Sequence, residues 1–182
     1  LKKSGRGLME AYGQIRRYHK QLAGLFRCTL LWVISNDTNT RYTVNNKRLA
    51  EFSNMFTWST DDNKKLNKLT LFTDSFLDRT RLGEMLYKYV VFSGQGSDRH
   101  MVVLRPYQVY AVERLVGKVA QHVYTNGYIW HTTGSGKTLT SFKASTLLKE
   151  NNDIHKCLFV VDRKDIDRQT REEFNKFQEG CV

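Results

Sequence analysis

The chain has 182 residues, of which 40% are hydrophobic and 26% are charged, and its formal net charge at pH 7 is +11. This length allows one ordinary domain or parts of two. No apolar run approaches the roughly 18 residues of a membrane-spanning helix, and no signal segment is visible, so we do not expect membrane insertion.

The chain starts at Leu1 without a methionine and stops soon after a predicted helix. We therefore expect it to be a piece of a longer protein. Its three cysteines, Cys28, Cys157 and Cys181, lie too far apart for Cys-x-x-Cys metal binding, and their odd number does not suggest a disulfide framework. Reduced cytosol is the natural compartment for such a chain.

The positive charge is concentrated near the N-terminus. Residues 1–50 hold ten Lys or Arg and two acidic residues, residues 51–100 hold seven of each, and residues 101–182 hold twelve and nine. A basic segment of this kind favours a polyanion partner, with nucleic acid as the leading candidate. From charge alone, the alternative is a solvated basic face.

In the first part of the chain, the sequence predicts a helix followed by a hairpin. An amphipathic helix is expected at 8–21. A buried strand is expected at 29–35, a turn at 36–39 and a second strand at 41–44. Residues 45–68 are polar and short of pattern, so they predict an irregular connection.

The next pattern predicts one long helix and then a linker. Apolar residues recur at helical spacing from Thr73 to Tyr89. Residues 93–99 contain two glycines and no apolar residue, which makes them the best linker candidate. A second domain is therefore expected to begin near His100.

The second half of the chain alternates helices and strands. Pro106 stands near the start of a predicted helix, where its missing N–H costs nothing. The pattern then predicts a strand at 127–130, a helix at 137–149, a strand at 157–161 and a helix at about 164–177. This alternation predicts a parallel sheet.

The segment Trp130–Thr138 has the pattern of a phosphate-binding loop between a strand and a helix. Two glycines permit backbone conformations that let successive N–H groups converge on an anion. The lysine adds a positive charge for the β and γ phosphates, and the threonine hydroxyl is suited to Mg²⁺. The helix N-terminus directs its dipole at the same point. The segment therefore predicts binding of ATP by Thr133, Gly134, Ser135, Gly136, Lys137 and Thr138, with Thr138 as the Mg²⁺ ligand.

One position departs from the general pattern G-x-x-x-x-G-K-[S/T], which would place glycine at position 131. This chain has His131 there. The plain alternative is a glycine-rich turn between a strand and a helix, without a ligand.

With these residues in view, the chain resembles the restriction (R) subunit of bacterial type I restriction-modification enzymes. The resemblance covers nearly the whole chain, and His131 looks like this family's own variant of the loop. The matching segments are 14–18, 33–36, 56–58, 104–108, 130–138 and 161–163.

The resemblance implies a fold and a division into domains. Such subunits join a PD-(D/E)xK endonuclease domain to a superfamily 2 motor made of two RecA-like lobes. We therefore expect an α/β chain with a partial PD-(D/E)xK nuclease fold followed by the first part of a RecA-like P-loop parallel-sheet domain. The expected parts are the end of the nuclease at 1–50, a connecting region with a helix and linker at 51–99, and the start of the ATPase lobe at 100–182.

The resemblance also implies nuclease residues. Lys2 matches the lysine of an E-x-K element, whose glutamate would directly precede Leu1. Gln14 and Tyr18 match a Q-x-x-x-Y element that positions the DNA backbone or the catalytic lysine. Without the resemblance, Lys2 is interpreted as a solvated charge. Gln14 could then equally be an ordinary surface residue of the helix, and Tyr18 an ordinary core residue.

In the motor part, Gln108 matches a glutamine that reads the adenine base, and the alternative is an ordinary polar residue in the first turn of a helix. Asp162 and Arg163 match a segment that faces the DNA backbone. Without the resemblance, Asp162 is better interpreted as the cap of the next helix. The residues expected to contact DNA are Arg16, Arg17 and Arg163.

Together these assignments predict a function for the parent subunit. It would bind Mg-ATP, use hydrolysis to translocate double-stranded DNA and cleave both strands, in the bacterial cytoplasm and in complex with methylation and specificity subunits. The 182 residues alone are expected to be inactive, because no Asp-Glu pair follows the phosphate loop. The alternatives are a superfamily 2 helicase or translocase without nuclease activity, and a DNA-binding adaptor with a degenerate nucleotide fold.

Overall fold

The computed structural model describes residues 7–22, 24–26, 28–46, 51–122 and 125–181, which form a mixed α/β structure with small sheets. Short 3-10 helices lie at Phe52–Asn54 and Gly96–Asp98. The described helices and strands are, in chain order, α1 (Leu8–Gln21), β1 (Leu31–Ser35), β2 (Thr40–Val44), α2 (Leu69–Phe76), α3 (Arg79–Lys88), β3 (Val90–Ser93), β4 (His100–Val103), α4 (Pro106–Ala120), α5 (Lys137–Leu148) and α6 (Lys164–Phe177).

The chain divides into two compact units. Unit 1 comprises Leu1–Val90 and His100–Pro106, and unit 2 comprises Val91–Arg99 and Tyr107–Val182. Within the described ranges, none of the helices is both long and apolar enough to cross a bilayer.

In unit 1, β1 and β2 form the predicted hairpin. The strands are antiparallel, with Leu31 opposite Val44 at the open end. At the turn, Asp37 has a φ of 75°, and the side-chain oxygen of Asn36 accepts a hydrogen bond from the N–H of Asn39 at 2.9 Å. Short polar side chains of this kind close a turn by bonding their neighbours' backbone. The hairpin prediction is confirmed, although β1 starts two residues later than expected.

An aromatic cluster forms the centre of unit 1. The ring of Tyr42 lies 4.6 Å from that of Phe76 and 6.1 Å from that of Trp58, measured between centroids. Tyr42 and Trp58 are fully buried, yet both polar atoms are paired. The Trp58 indole donates to the Ser75 hydroxyl at 3.0 Å, and the Tyr42 hydroxyl donates to the Leu104 carbonyl at 3.3 Å. The irregular connection predicted at 45–68 thus contributes a central core residue.

A second cluster lies beneath α1, which begins and ends at the predicted residues. It buries one face of the helix, so that Arg16, Arg17 and Tyr18 are exposed on the other. The buried members are Leu8, Ala11, Tyr12, Ile15, Ile34 and Met55, with Trp32 and Phe52 packed against them.

The single helix predicted at 73–89 is wrong, because the structure has two helices, α2 and α3. Asp78 stands between them, and its carboxylate accepts hydrogen bonds from the N–H groups of Thr80 and Arg81, both at 3.0 Å. This side chain satisfies N–H groups that a helix start leaves without partners, so a new helix begins after it.

Unit 2 contains α4, α5 and α6, which begin at or near the predicted positions. Val109 and Val112 of α4 are fully buried. Phe142 of α5 and Phe174 of α6 have ring centroids 5.6 Å apart. In the predicted linker, Gly94 has a φ of 83°, and its N–H donates to a carbonyl at the end of α6 at 2.9 Å.

The two strands predicted in unit 2 are absent. Residues 127–130 and 157–161 are described, but their backbone belongs to no strand. Most of their apolar side chains are exposed, with Tyr128 and Leu158 each at 90%. A strand needs a neighbouring strand to receive its backbone hydrogen bonds. The prediction of two buried strands and of a parallel sheet between them is therefore wrong for the described residues, because neither segment is paired with a neighbouring strand.

Candidate functional site

The phosphate-loop pattern folds into a tight turn that leads into α5. Gly134 and Gly136 have φ values of 73° and 81°, a region that residues with a side chain rarely adopt. Gly136 directly precedes Lys137, the first residue of α5. A Cβ at Gly136 would lie 2.5 Å from the side-chain nitrogen of Gln108. The backbone conformation therefore favours glycine at position 136, and any side chain there would also displace the Gln108 amide.

The Thr132 carbonyl is a hydrogen-bond acceptor at the centre of the loop. Lys137 donates to it from its ammonium at 3.2 Å, and the Ser135 hydroxyl donates to it at 2.7 Å. The backbone N–H of Ser135 also donates to it, at 3.3 Å. Lys137 is exposed, and Thr138 in the first turn of α5 is half-buried. The ammonium thus lies against the loop, within reach of solvent.

The first turn of α4 contacts the loop from the side. Gln108 is 3% exposed, and its amide donates to the carbonyls of Ser135 at 3.2 Å and Gly136 at 3.1 Å. The Tyr107 hydroxyl donates to the Ser135 carbonyl at 2.8 Å. The structure therefore brings Gln108 to the predicted loop, while its adenine-reading role stays a prediction.

His131 takes part in the same contacts. Its Nδ1 lies 3.0 Å from the Ser135 hydroxyl, and its ring meets that of Tyr107 edge-on, with centroids 5.8 Å apart. Burial, followed by the positive charge of Lys137, lowers the pKa of the imidazole below its ordinary value of 6.5. The neutral ring is therefore favoured at neutral pH.

Sequence reasoning did not select Tyr107 or His131 as site residues. The available signals were the histidine at a glycine position and the tyrosine beside Gln108. Neither signal shows the contacts of Tyr107 with His131 and Ser135, which lie 24 and 28 residues further along the chain.

The exposed face of α1 carries the other predicted site. The Gln14 side-chain amide donates to the Tyr18 hydroxyl at 2.5 Å, so the two residues meet as their spacing predicts. The Tyr18 ring also stacks on Phe26, with centroids 6.0 Å apart. Arg16 and Arg17 are exposed on the same helix. Lys2 lies outside the described residues.

Asp162 and Arg163 form an exposed ion pair at 3.6 Å, with about three quarters of each side chain accessible. Arg163, not Asp162, occupies the N-cap position of α6, and its side chain makes no capping hydrogen bond. The alternative interpretation of Asp162 as the helix cap is therefore wrong. A DNA-facing role for this pair stays a prediction.

Within the described ranges, no three His, Cys, Asp or Glu side chains lie close enough together to hold a metal ion. Thr138 was the residue predicted to bind Mg²⁺. A hydroxyl oxygen suits Mg²⁺, which accepts oxygen ligands and commonly completes its shell with water and substrate phosphates.

Two family models match different parts of the chain. A model described as the N terminus of the type I restriction enzyme R protein matches residues 1–51. A model described as SWI2/SNF2 ATPase matches residues 107–182, which include the phosphate loop.

Curated relatives match the whole chain or a large part of it. The endonuclease subunit of the type I restriction enzyme SauCOLORF180P of Staphylococcus aureus (strain COL) is 49% identical over 183 residues, covering 100% of this chain and 19% of the relative. The endonuclease subunit of EcoprrI of Escherichia coli is 38% identical over 125 residues, covering 65% of this chain and 39% of the relative. The chain thus spans about a fifth of the length of the first of these relatives.

Proposed function

The chain belongs to the family of type I restriction enzyme endonuclease subunits, and on that premise we propose that it holds the ATP site of an ATP-driven, DNA-translocating endonuclease. The observation that carries this proposal is the loop at the start of α5. Two glycines have positive φ, and Lys137 and Thr138 open the helix. A helix N-terminus that follows such a loop is suited to bind phosphate groups.

The loop residues would each contact a different part of Mg-ATP. Lys137 would exchange the Thr132 carbonyl, its present partner at 3.2 Å, for the β and γ phosphates. The Thr138 hydroxyl would hold Mg²⁺, which when bound neutralises phosphate charge. Thr133, Gly134, Ser135 and Gly136 would direct backbone N–H groups at the phosphates, as preorganised donors that stabilise charge during phosphoryl transfer.

The fold assignment follows the two family matches. Residues 100–182 would be the start of a RecA-like lobe, supported by the SWI2/SNF2 ATPase match at 107–182. Residues 1–50 would be the end of a PD-(D/E)xK nuclease domain, supported by the R protein match at 1–51. Residues 51–99 would connect them. In this arrangement the hydrogen-bonded pair Gln14 and Tyr18 would position DNA or the catalytic Lys2.

Double-stranded DNA is the partner that the charge distribution favours. Residues 1–50 carry ten of the chain's 29 Lys and Arg residues and two of its 18 acidic ones. Arg16 and Arg17 are exposed beside the Gln14 and Tyr18 pair, and Arg163 is exposed at the start of α6. The complete subunit would act with methylation and specificity subunits in the bacterial cytoplasm.

The test is made on the protein encoded by the complete reading frame, assembled with its methylation and specificity subunits, with the variant Lys137→Ala. We expect DNA-stimulated ATP hydrolysis to fall by roughly a hundredfold or more, because a charge that stabilises the transferred phosphoryl group is lost. Lys149→Ala is the matched control, since it removes the same charge at the other end of α5. Turnover retained by Lys137→Ala would contradict the ATP site.

A translocase without nuclease activity is the second candidate, and the SWI2/SNF2 ATPase match favours it because it concerns the motor alone. Incubation of the same protein with duplex DNA, Mg²⁺ and ATP separates the two. DNA-stimulated ATP hydrolysis with cleavage supports the endonuclease. DNA-stimulated hydrolysis without cleavage supports the translocase.

A further inference from the structure

His131 spans the phosphate loop with its side chain. In the general loop pattern this position is a glycine, which has no side chain to contribute. Here the imidazole Nδ1 lies 3.0 Å from the hydroxyl of Ser135, four residues further along the chain. The first and fifth residues of the loop are thus joined by a hydrogen bond.

The direction of this hydrogen bond follows from the partners of Ser135. Its hydroxyl has one proton, which it donates to the Thr132 carbonyl at 2.7 Å. Toward His131 the same oxygen can therefore only accept, so Nδ1 must carry a proton. The neutral imidazole then has its proton on Nδ1, and the bond to Ser135 assigns this tautomer.

The Tyr107 side chain binds the backbone of the same serine, Ser135. Its hydroxyl donates to the Ser135 carbonyl at 2.8 Å, and its ring meets His131 edge-on, with centroids 5.8 Å apart and planes at 71°. Tyr107 lies in the first turn of α4, a helix whose residues at positions 109 and 112 are fully buried. Ser135 is thus held at its side chain by His131 and at its carbonyl by Tyr107.

We propose that Tyr107 and His131 are positioning residues that hold the phosphate loop in its binding shape before the nucleotide arrives. This inference rests on the proposed ATP site. A loop that is already ordered loses less conformational entropy on binding than a mobile one, so its affinity is higher. Both residues act through Ser135, and the neutral Nδ1–H form of His131 is the one that can donate without adding charge to the loop.

Steady-state ATP hydrolysis by the protein from the complete reading frame, assembled with its methylation and specificity subunits, tests this role. Tyr107→Phe and His131→Ala each remove one hydrogen bond, and we expect the KM for ATP to rise about fivefold to tenfold, with kcat at saturating ATP within about twofold of the parent. His131→Asn should keep KM near the parent value, because its amide nitrogen can donate from nearly the position of Nδ1. Tyr87→Phe, which removes a hydroxyl from a 78% exposed residue of α3, is the control.

Thermal unfolding without nucleotide shows whether each variant is folded. If Tyr107→Phe does not fold, the comparison of His131→Ala with His131→Asn decides. Unchanged KM in His131→Ala, or an equal rise in His131→Ala and His131→Asn, would overturn the positioning role. If Lys137→Ala abolishes hydrolysis while the Tyr107 and His131 variants match the parent, only this inference fails. If Lys137→Ala is also fully active, the proposed ATP site fails with it.

Discussion

At the scale of single residues, the loop shows how one side chain can change the chemistry around it. His131 lies close enough to Lys137 for the lysine's positive charge to lower the pKa of the imidazole, although burial is the larger cause. The sequence shows that the two residues are six positions apart but gives neither the burial nor the distance. The glycines are different, because their positive φ values of 73° and 81° are a local requirement that the motif itself predicts.

The lowered pKa of His131 predicts a pH dependence of stability. In the unfolded chain the imidazole titrates near 6.5, whereas in the folded chain it binds a proton only at lower pH. Stability from the neutral ring is therefore fully present above pH 6.5 and is lost as the pH falls through the lower, folded-state pKa. We expect the free energy of unfolding to fall between pH 7.5 and pH 5.5 more steeply in the parent than in His131→Asn, measured by urea denaturation. Equal slopes would contradict the shift.

At the scale of helices and strands, a helix cap sets the boundary between α2 and α3, which the hydrophobic spacing does not show. The apolar residues from 73 to 89 have helical spacing throughout, yet α2 and α3 are separate because Asp78 accepts two backbone hydrogen bonds. Hydrophobic spacing depends on the apolar residues alone, so an exposed aspartate between two helices does not change it. Local polar chemistry of this kind is readable from the sequence, but only when the break is already suspected.

The cap at Asp78 predicts a measurable loss of stability. Asp78→Ala removes acceptors at 3.0 Å from the N–H groups of Thr80 and Arg81. We expect Asp78→Ala to lower the free energy of unfolding by about 1 kcal/mol. Asp78→Asn should lower it much less, because asparagine also caps helices. Urea denaturation compares these variants with Asp74→Ala, which removes the same charge from an exposed position inside α2. A loss in Asp74→Ala as large as that in Asp78→Ala would argue for charge rather than capping.

At the scale of the whole molecule, the described residues include two apolar segments that are exposed and unpaired. Tyr128, Trp130 and Leu158 are 88–90% exposed in segments whose pattern predicted buried strands. A parallel sheet would form there only with further strands beside these segments. The first of the relatives is about five times as long as this chain, which covers 19% of it, and this supports the proposal of a larger subunit.

The 182 residues alone are predicted to have no catalytic activity. No Asp-Glu pair follows the phosphate loop in the sequence, so groups that would complete the Mg²⁺ shell and orient a water are missing. Purified chain incubated with Mg-ATP and duplex DNA should show neither phosphate release nor DNA cleavage above background. Phosphate release that disappears in Lys137→Ala would overturn this expectation.

By itself the sequence determined those features that depend on neighbours in the chain: the bounds of α1, the hairpin turn at Asp37, Pro106 at the start of α4, and the glycine loop that precedes α5. These depend on backbone preferences and on spacings of a few residues, which a motif contains completely. Only the tertiary structure decided that Tyr107, Gln108 and His131 meet at Ser135, and that the segments at 127–130 and 157–161 are not strands. The physical reason is that a long-range hydrogen bond or a strand pairing needs its second partner in place, and no local pattern specifies where that partner lies.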